Sequence, residues 1–124
     1  MELTRDQPEG YFYIRACEDA AVTVVDRTLS RSCIVTPQRV IEDWPVQSPA
    51  GLDREAMEIL LDLGPELILL GTGIKQEFPT HECLAGLVRR GIGVEVMDNR
   101  AASRTYNLLA AEGRQVAAAF MLPG

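Results

Sequence analysis

A chain of 124 residues that is 47% apolar is long enough to bury about two-thirds of its unfolded surface as one domain, without disulfide or metal staples. Twelve basic residues against eighteen acidic ones leave a net charge of −6, which argues against a generic nucleic-acid or anionic-membrane surface, since these need Lys and Arg in excess on one face. Lys75 is the sole lysine, and every other cation is an arginine. No apolar run approaches the ~20 residues of a membrane span. The opening MELTRDQPEG is too polar for a secretory leader. Cys17, Cys33 and Cys83 are odd in number, widely spaced and free of any CxxC, so reduced thiols in a cytoplasmic protein are expected. A single histidine and no close Cys/His/Asp cluster give a metal little to build on, and neither metal nor cofactor is expected.

Residues 1–10 read as a flexible N-terminus and 11–122 as a single domain. Tyr11–Cys17, Val22–Val25 and Ser32–Thr36 read as strands, with Asp26 and Arg27 a weak turn and Pro37 ending the third strand. Val40–Trp44 either extends a strand or packs as a loop, and Trp44-Pro45 is placed at one end of the core. After a Gln47–Gly51 surface loop, helical period begins at the N-cap Asp53. Ala56, Ile59, Leu60 and Leu63 form its apolar face, and Gly64-Pro65 stops it. Leu67–Leu70 is a continuous apolar run of the kind found in strands buried on both faces. A second helix from Thr80 is expected to bury Leu84, Leu87 and Val88 and to end at Arg90-Gly91. Val94–Met97 is the next strand. A third helix runs from Asn99 to Glu112 and closes at Gly113, and Gln115–Met121 is the last strand. Strands separated by single helices and short joints make βαβ units, so Leu67–Leu70 and Val94–Met97 should be parallel. The N-terminal strands lack intervening helices and should form hairpins, either continuing that sheet or folding across it.

Two loops are candidates for a site because both leave parallel strands in one direction, towards one edge of the sheet. Gly71-Thr72-Gly73 follows the buried strand. It is either a tight structural turn or a loop whose N–H groups contact an anion, although it matches neither GxGxxG nor a P-loop. Asp98 ends the next strand, and either it or Asn99 can cap the third helix. Arg100, Arg104 and Asn107 then share one stripe. Arg100 sits at the positive end of the helix dipole, where a cation is unfavourable by ~0.3–1 kcal/mol. Its counter-charge is either Asp98 or a bound anion or partner carboxylate. The candidate patch is thus Gly71, Thr72, Gly73, Asp98, Asn99, Arg100 and Arg104. Tyr106 is expected to tether its helix to a neighbour. Glu112 and Arg114 are expected to pair across the helix end. His81 should face solvent, and His81 and Cys83 point ~200° apart on a helix, a poor base–nucleophile pair. No serine lies in GxSxG, and no catalytic residue is assigned.

The strings SCIVTP (Ser32–Pro37), LILLGTG (Leu67–Gly73) and GVEVMDNRAASRTYNLLAAEGRQVAAA (Gly93–Ala119) resemble the family called domain of unknown function 498. That family includes the mitochondrial respiratory complex I assembly factor, an adipogenesis-associated protein and many uncharacterised bacterial members. The resemblance runs from about Tyr11 to Met121. It implies an α/β fold in three layers, with a mixed central sheet, helices on one side and a small extra β layer. It also implies an antiparallel strand in the central sheet, which leaves the direction of Gln115–Met121 open. No catalytic residues come with the family, and because the opening residues do not read as an Arg-rich, acidic-poor transit peptide, mitochondrial import is not expected. Two functions follow as expectations. One is a non-catalytic interaction or assembly-factor-like module with a protein partner. The other is a protein or enzyme that binds a small anion through Gly71–Gly73 and the Arg100/Arg104 face.

Overall fold

A computed structural model describes residues 10–124, and the expected flexible N-terminus lies almost wholly outside them. The chain forms strands β1 (Ile14–Glu18), β2 (Ala21–Val24), β3 (Arg27–Leu29), β4 (Cys33–Val35) and β5 (Val40–Ile41). It continues through α1 (Arg54–Leu61), β6 (Leu67–Gly71), α2 (His81–Arg89), β7 (Gly93–Met97), α3 (Asn99–Ala111) and β8 (Val116–Phe120). Asp53 caps α1 by accepting from the Ala56 N–H, and Thr80 caps α2 by accepting from the Cys83 N–H.

The strands form two sheets, β1-β2-β3 and β5-β4-β8-β6-β7. In the larger sheet β6 pairs in parallel with both neighbours, Leu69 opposite Glu95 of β7 and opposite Ala118 of β8. The antiparallel member is β4, which pairs antiparallel with β8 on one side and β5 on the other. The last strand is therefore parallel to β6. The N-terminal hairpins take both expected routes: β1–β3 fold across as a separate layer, whereas β4 and β5 extend the central sheet. Val40–Trp44 likewise divides into the short strand β5 and a loop ending at the buried Trp44, whose Nε1–H donates to the Ala56 carbonyl at 3.1 Å.

Period-two alternation splits the core. Ile34, Ile68, Leu70, Ala117 and Ala119 face Trp44, α1 and α2, while Val35, Leu69, Ala118 and Phe120 face α3 and the small sheet. Every residue of β8 is buried. Alanine is a poor strand former on propensity alone; here burial on both faces decides. The class is the expected three-layer α/β arrangement with a mixed central sheet and a small β layer. The expectation of helices on one side holds for α1 and α2. The third helix, α3, lies on the opposite face and packs against β1, β6 and β8.

Two local expectations are corrected. Val88 is 64% exposed rather than buried, because α2 lies at the β7 margin and buries only the narrow face around Leu87. Strand β3 has no sequence signature: two of its three residues are exposed, and the β2–β3 turn lacks glycine. That turn uses Val25 at φ 57°, a conformation a β-branched residue rarely adopts, with its side chain buried in the core.

Candidate functional site

The parallel strands β6 and β7 deliver their C-terminal ends to one edge, and the loops there are tied together through Asn99. Its backbone N–H donates to the Gly73 carbonyl at 2.8 Å, and its Oδ1 accepts from the Gly73 N–H at 3.1 Å. Its Nδ2 donates to the Met121 carbonyl at 3.0 Å, so one buried amide joins the exits of β6 and β8 to the start of α3. Gly71 lies against this amide. A Cβ there would collide with Asn99 Oδ1 and sit 3.3 Å from the Ala119 carbonyl. Gly73 has φ 99°, open to glycine and strained for other residues.

Thr72 completes the turn. Its N–H donates to the Met97 carbonyl at 3.0 Å, its hydroxyl donates to the Lys75 carbonyl at 2.7 Å, and the same oxygen accepts from the Glu77 N–H at 2.9 Å. The N–H groups of Thr72 and Gly73 are thus both occupied within the protein.

Asp98 caps α3, accepting from the Ala101 N–H at 2.8 Å. Its carboxylate is not the one that ion-pairs with Arg100. That role falls to the β1–β2 turn: Arg100 Nη2 donates to Asp19 Oδ1 at 3.1 Å, and Nη1 donates to the Cys17 carbonyl at 2.8 Å. The pair stays solvated, with the Arg100 side chain 58% and the Asp19 side chain 66% exposed. Gly73, Asp98, Asn99, Arg100 and Arg104 line one concave cavity of about 190 Å³, joined by Glu18 and Asp19. Gly71 and Thr72 are buried and do not line it. Glu18 and Asp19 went unrecognised as neighbours because a separation of about eighty residues carries no local pattern.

Further along α3, the tethering role of Tyr106 is what the structure has. Its hydroxyl donates to the Phe12 carbonyl at 2.8 Å, and burial pushes its pKa upward. Asn107 accepts from the Ile14 N–H and donates to the Ile14 carbonyl, both at 2.8 Å, standing in for a neighbouring strand at the edge of β1. Arg114 pairs with Glu66 rather than with Glu112.

The thiols are free. Burial pushes the Cys33 pKa up to about 12, with smaller contributions from Glu42 and Cys17, and raises that of Cys83. A raised pKa keeps a thiol protonated and a poor nucleophile. His81 is exposed. Among the described residues no group of three or more His, Cys, Asp or Glu side chains is placed to hold a metal ion. No helix of the described residues is long and apolar enough to cross a membrane.

The layers and the polar junction at the β6–β7 edge define a mixed α/β domain with an accessory β layer. The chain belongs to the family described as "Protein of unknown function (DUF498/DUF598)", whose model matches residues 14–121. It is 33% identical over 113 residues to mouse NADH dehydrogenase [ubiquinone] 1 alpha subcomplex assembly factor 3, covering 90% of this chain and 60% of that protein. The chain thus spans about three-fifths of that relative's length. A "13 kDa major membrane protein" of Francisella tularensis is 35% identical over 88 residues, covering 71% of this chain and 68% of that protein. Among solved structures, the NMR structure of a Xanthomonas campestris protein is 42% identical with a TM-score of 0.84, covering 96% of this chain and 91% of that one.

Proposed function

We propose that this chain is a non-catalytic interaction module of assembly-factor type that works by holding a protein partner. The observation that carries this reading is the similarity to the mouse assembly factor across nine-tenths of the chain. The surface supports it: Ile74 and Phe78 on the β6–α2 loop, Val88 on α2 and Leu108 on α3 are all large apolar side chains left exposed. Single exposed apolar residues are ordinary, but Ile74 and Phe78 lie four positions apart on one loop and offer a partner apolar anchors there. The proposed location is the cytoplasm, in keeping with three free thiols.

Deletion of the gene in the organism that carries it, followed by native-gel analysis of its NADH dehydrogenase, tests the reading. Loss of assembled complex is expected, with rescue by the wild-type chain but not by a folded Ile74→Asp/Phe78→Asp variant. Assembly at wild-type levels after deletion, together with no stoichiometric partner on crosslinking, would overturn it. Fractionation of the same cells checks the location.

A further inference from the structure

Strand β1 does not alternate cleanly. Ile14 faces the core, Arg15 and Ala16 are both exposed, and Cys17 turns back towards the core. The pairing with β2 shifts register between Ile14 and Ala16, a β-bulge centred on Arg15. Such a bulge bends the strand and re-aims its side chains. Alongside runs the face of α3 that carries Arg100, Ser103, Arg104 and Asn107, positions that fall on one side of a helix.

Between strand and helix lies an open groove of about 250 Å³. Its charged lining is arginine alone, Arg15, Arg100 and Arg104, on a chain of net charge −6. Arg100 is committed to the Cys17 carbonyl and Asp19. Among the described residues Arg15 and Arg104 make no hydrogen bond or ion pair. Ser103 lines the same groove and is only 6% exposed, and its Oγ is the one buried side-chain polar atom of the described residues with no partner. A buried hydroxyl without a partner has given up its hydrogen bonds to water with nothing in exchange. An unpaired buried donor beside two unpaired guanidinium groups calls for an acceptor from outside the chain.

We propose that the β1–α3 groove is an oxyanion site, which takes a carboxylate or phosphate group between Arg15 and Arg104 with the Ser103 hydroxyl as a third donor. Guanidinium forks match both groups, which is why arginine recurs wherever carboxylate or phosphate is read. The site does not use the N–H groups of the Gly71–Gly73 turn, and it stands independently of the assembly-type reading.

The test is titration of the isotope-labelled chain with inorganic phosphate, succinate and a short glutamate peptide, followed by amide NMR. Saturable shifts confined to residues 15–17 and 100–107 are expected with at least one probe. Arg15→Gln and Arg104→Gln should each weaken that binding by about tenfold, the loss of one charge-assisted interaction. Saturation by phosphate or succinate identifies a free small oxyanion; saturation by the peptide alone identifies the acidic side chains of a protein partner. Ser103→Ala separates a ligand role from a packing role: it should raise Tm by removing an unpaired buried hydroxyl, yet weaken binding several-fold. Shifts spread over the surface, no saturation with any probe, or arginine and serine variants that bind like wild type would each overturn the proposal.

Discussion

Two successive turns of α3 make the instructive comparison. At its start, α3 meets the β6 and β8 exits through Asn99, and the polar groups there are matched: Asn99 with Gly73 and Met121, Asp98 with Ala101, Thr72 with Lys75, Met97 and Glu77. One turn later, beside β1, Ser103 is buried without a partner and Arg104 reaches no carboxylate among the described residues. A closed network rigidifies, whereas a half-satisfied one destabilises the free chain and favours whatever completes it. The first region holds the fold, and the second is where a ligand adds most.

The largest effects should come from breaking the closed end. Asn99→Ala removes both side-chain hydrogen bonds and leaves the Gly73 N–H and Met121 carbonyl without them. A loss of about 2–4 kcal/mol is expected in urea unfolding. Gly71→Ala drives a methyl into the Asn99 amide and against the Ala119 carbonyl, with an expected cost of about 2–3 kcal/mol. The sharper result lies in the double variant. Because the main obstacle is the Asn99 side chain itself, Gly71→Ala in the Asn99→Ala background should cost less than in wild type, a coupling of about 1 kcal/mol or more. Strict additivity would mean the two residues do not form one unit.

Asn107 lies where α3 closes over β1, and Asn107→Ala leaves the Ile14 N–H and carbonyl without their side-chain partner. The expected loss is about 1–3 kcal/mol, against about 1 kcal/mol for Tyr106→Phe, which unpairs only the Phe12 carbonyl. Amide exchange at Ile14 should rise more in the first variant than in the second. Equal and small losses would show that water replaces Asn107 at the β1 edge.

Cys33 reports on the core that α3 covers. Its folded pKa, about 12, lies above the ordinary value of 9.0, so above pH 9 the unfolded chain releases a proton the folded chain keeps. This contribution to stability is complete below about pH 9 and is lost as pH rises towards 12, with a slope approaching ~1.4 kcal/mol per pH unit. Tyr106, also raised by burial, adds to the decline from about pH 10 upward. Comparing urea midpoints of wild type and Cys33→Ala across this window isolates the thiol: the variant should decline less steeply, and parallel curves would rule out its titration.

How much of this was legible in the sequence follows the range of each interaction. The units from Asp53 to Phe120 were readable because apolar period, the N-cap Asp53, the helix start at Thr80, a cap at Asp98 or Asn99, and helix-ending glycines all act within a few residues; the structure gives the third cap to Asp98. Strand β3 was not, since its turn places Val25 at positive φ where glycine or asparagine is the usual signal, and burial of the valine outweighs the local preference. The bulge at Arg15 was hidden for a similar reason: alternation read as unbroken puts Arg15 outward but cannot show that Ala16 joins it. The candidate patch was half legible. Its parallel-strand edge follows from the βαβ rule, but the acidic turn of the small sheet that completes it is fixed only by tertiary packing.

Arg100 stands where the two regions meet, and it sets the smallest and most discriminating expectation. As a cation at the N-terminal end of α3 it opposes the helix dipole, by ~0.3–1 kcal/mol. Its bond to Asp19 offsets that, but both side chains are more than half exposed, and solvated pairs contribute about 0–1 kcal/mol. Its hydrogen bond to the Cys17 carbonyl adds a tie between helix and β1. These contributions nearly cancel, so Arg100→Ala should change stability by less than about 1 kcal/mol. Asp19→Asn separates them. It keeps the Cys17 bond while removing the charge that balances the dipole, so it should cost as much as Arg100→Ala or slightly more. A loss well above 1 kcal/mol in Arg100→Ala alone would place the main energy in the Cys17 bond and make Arg100 part of the closed network rather than its boundary.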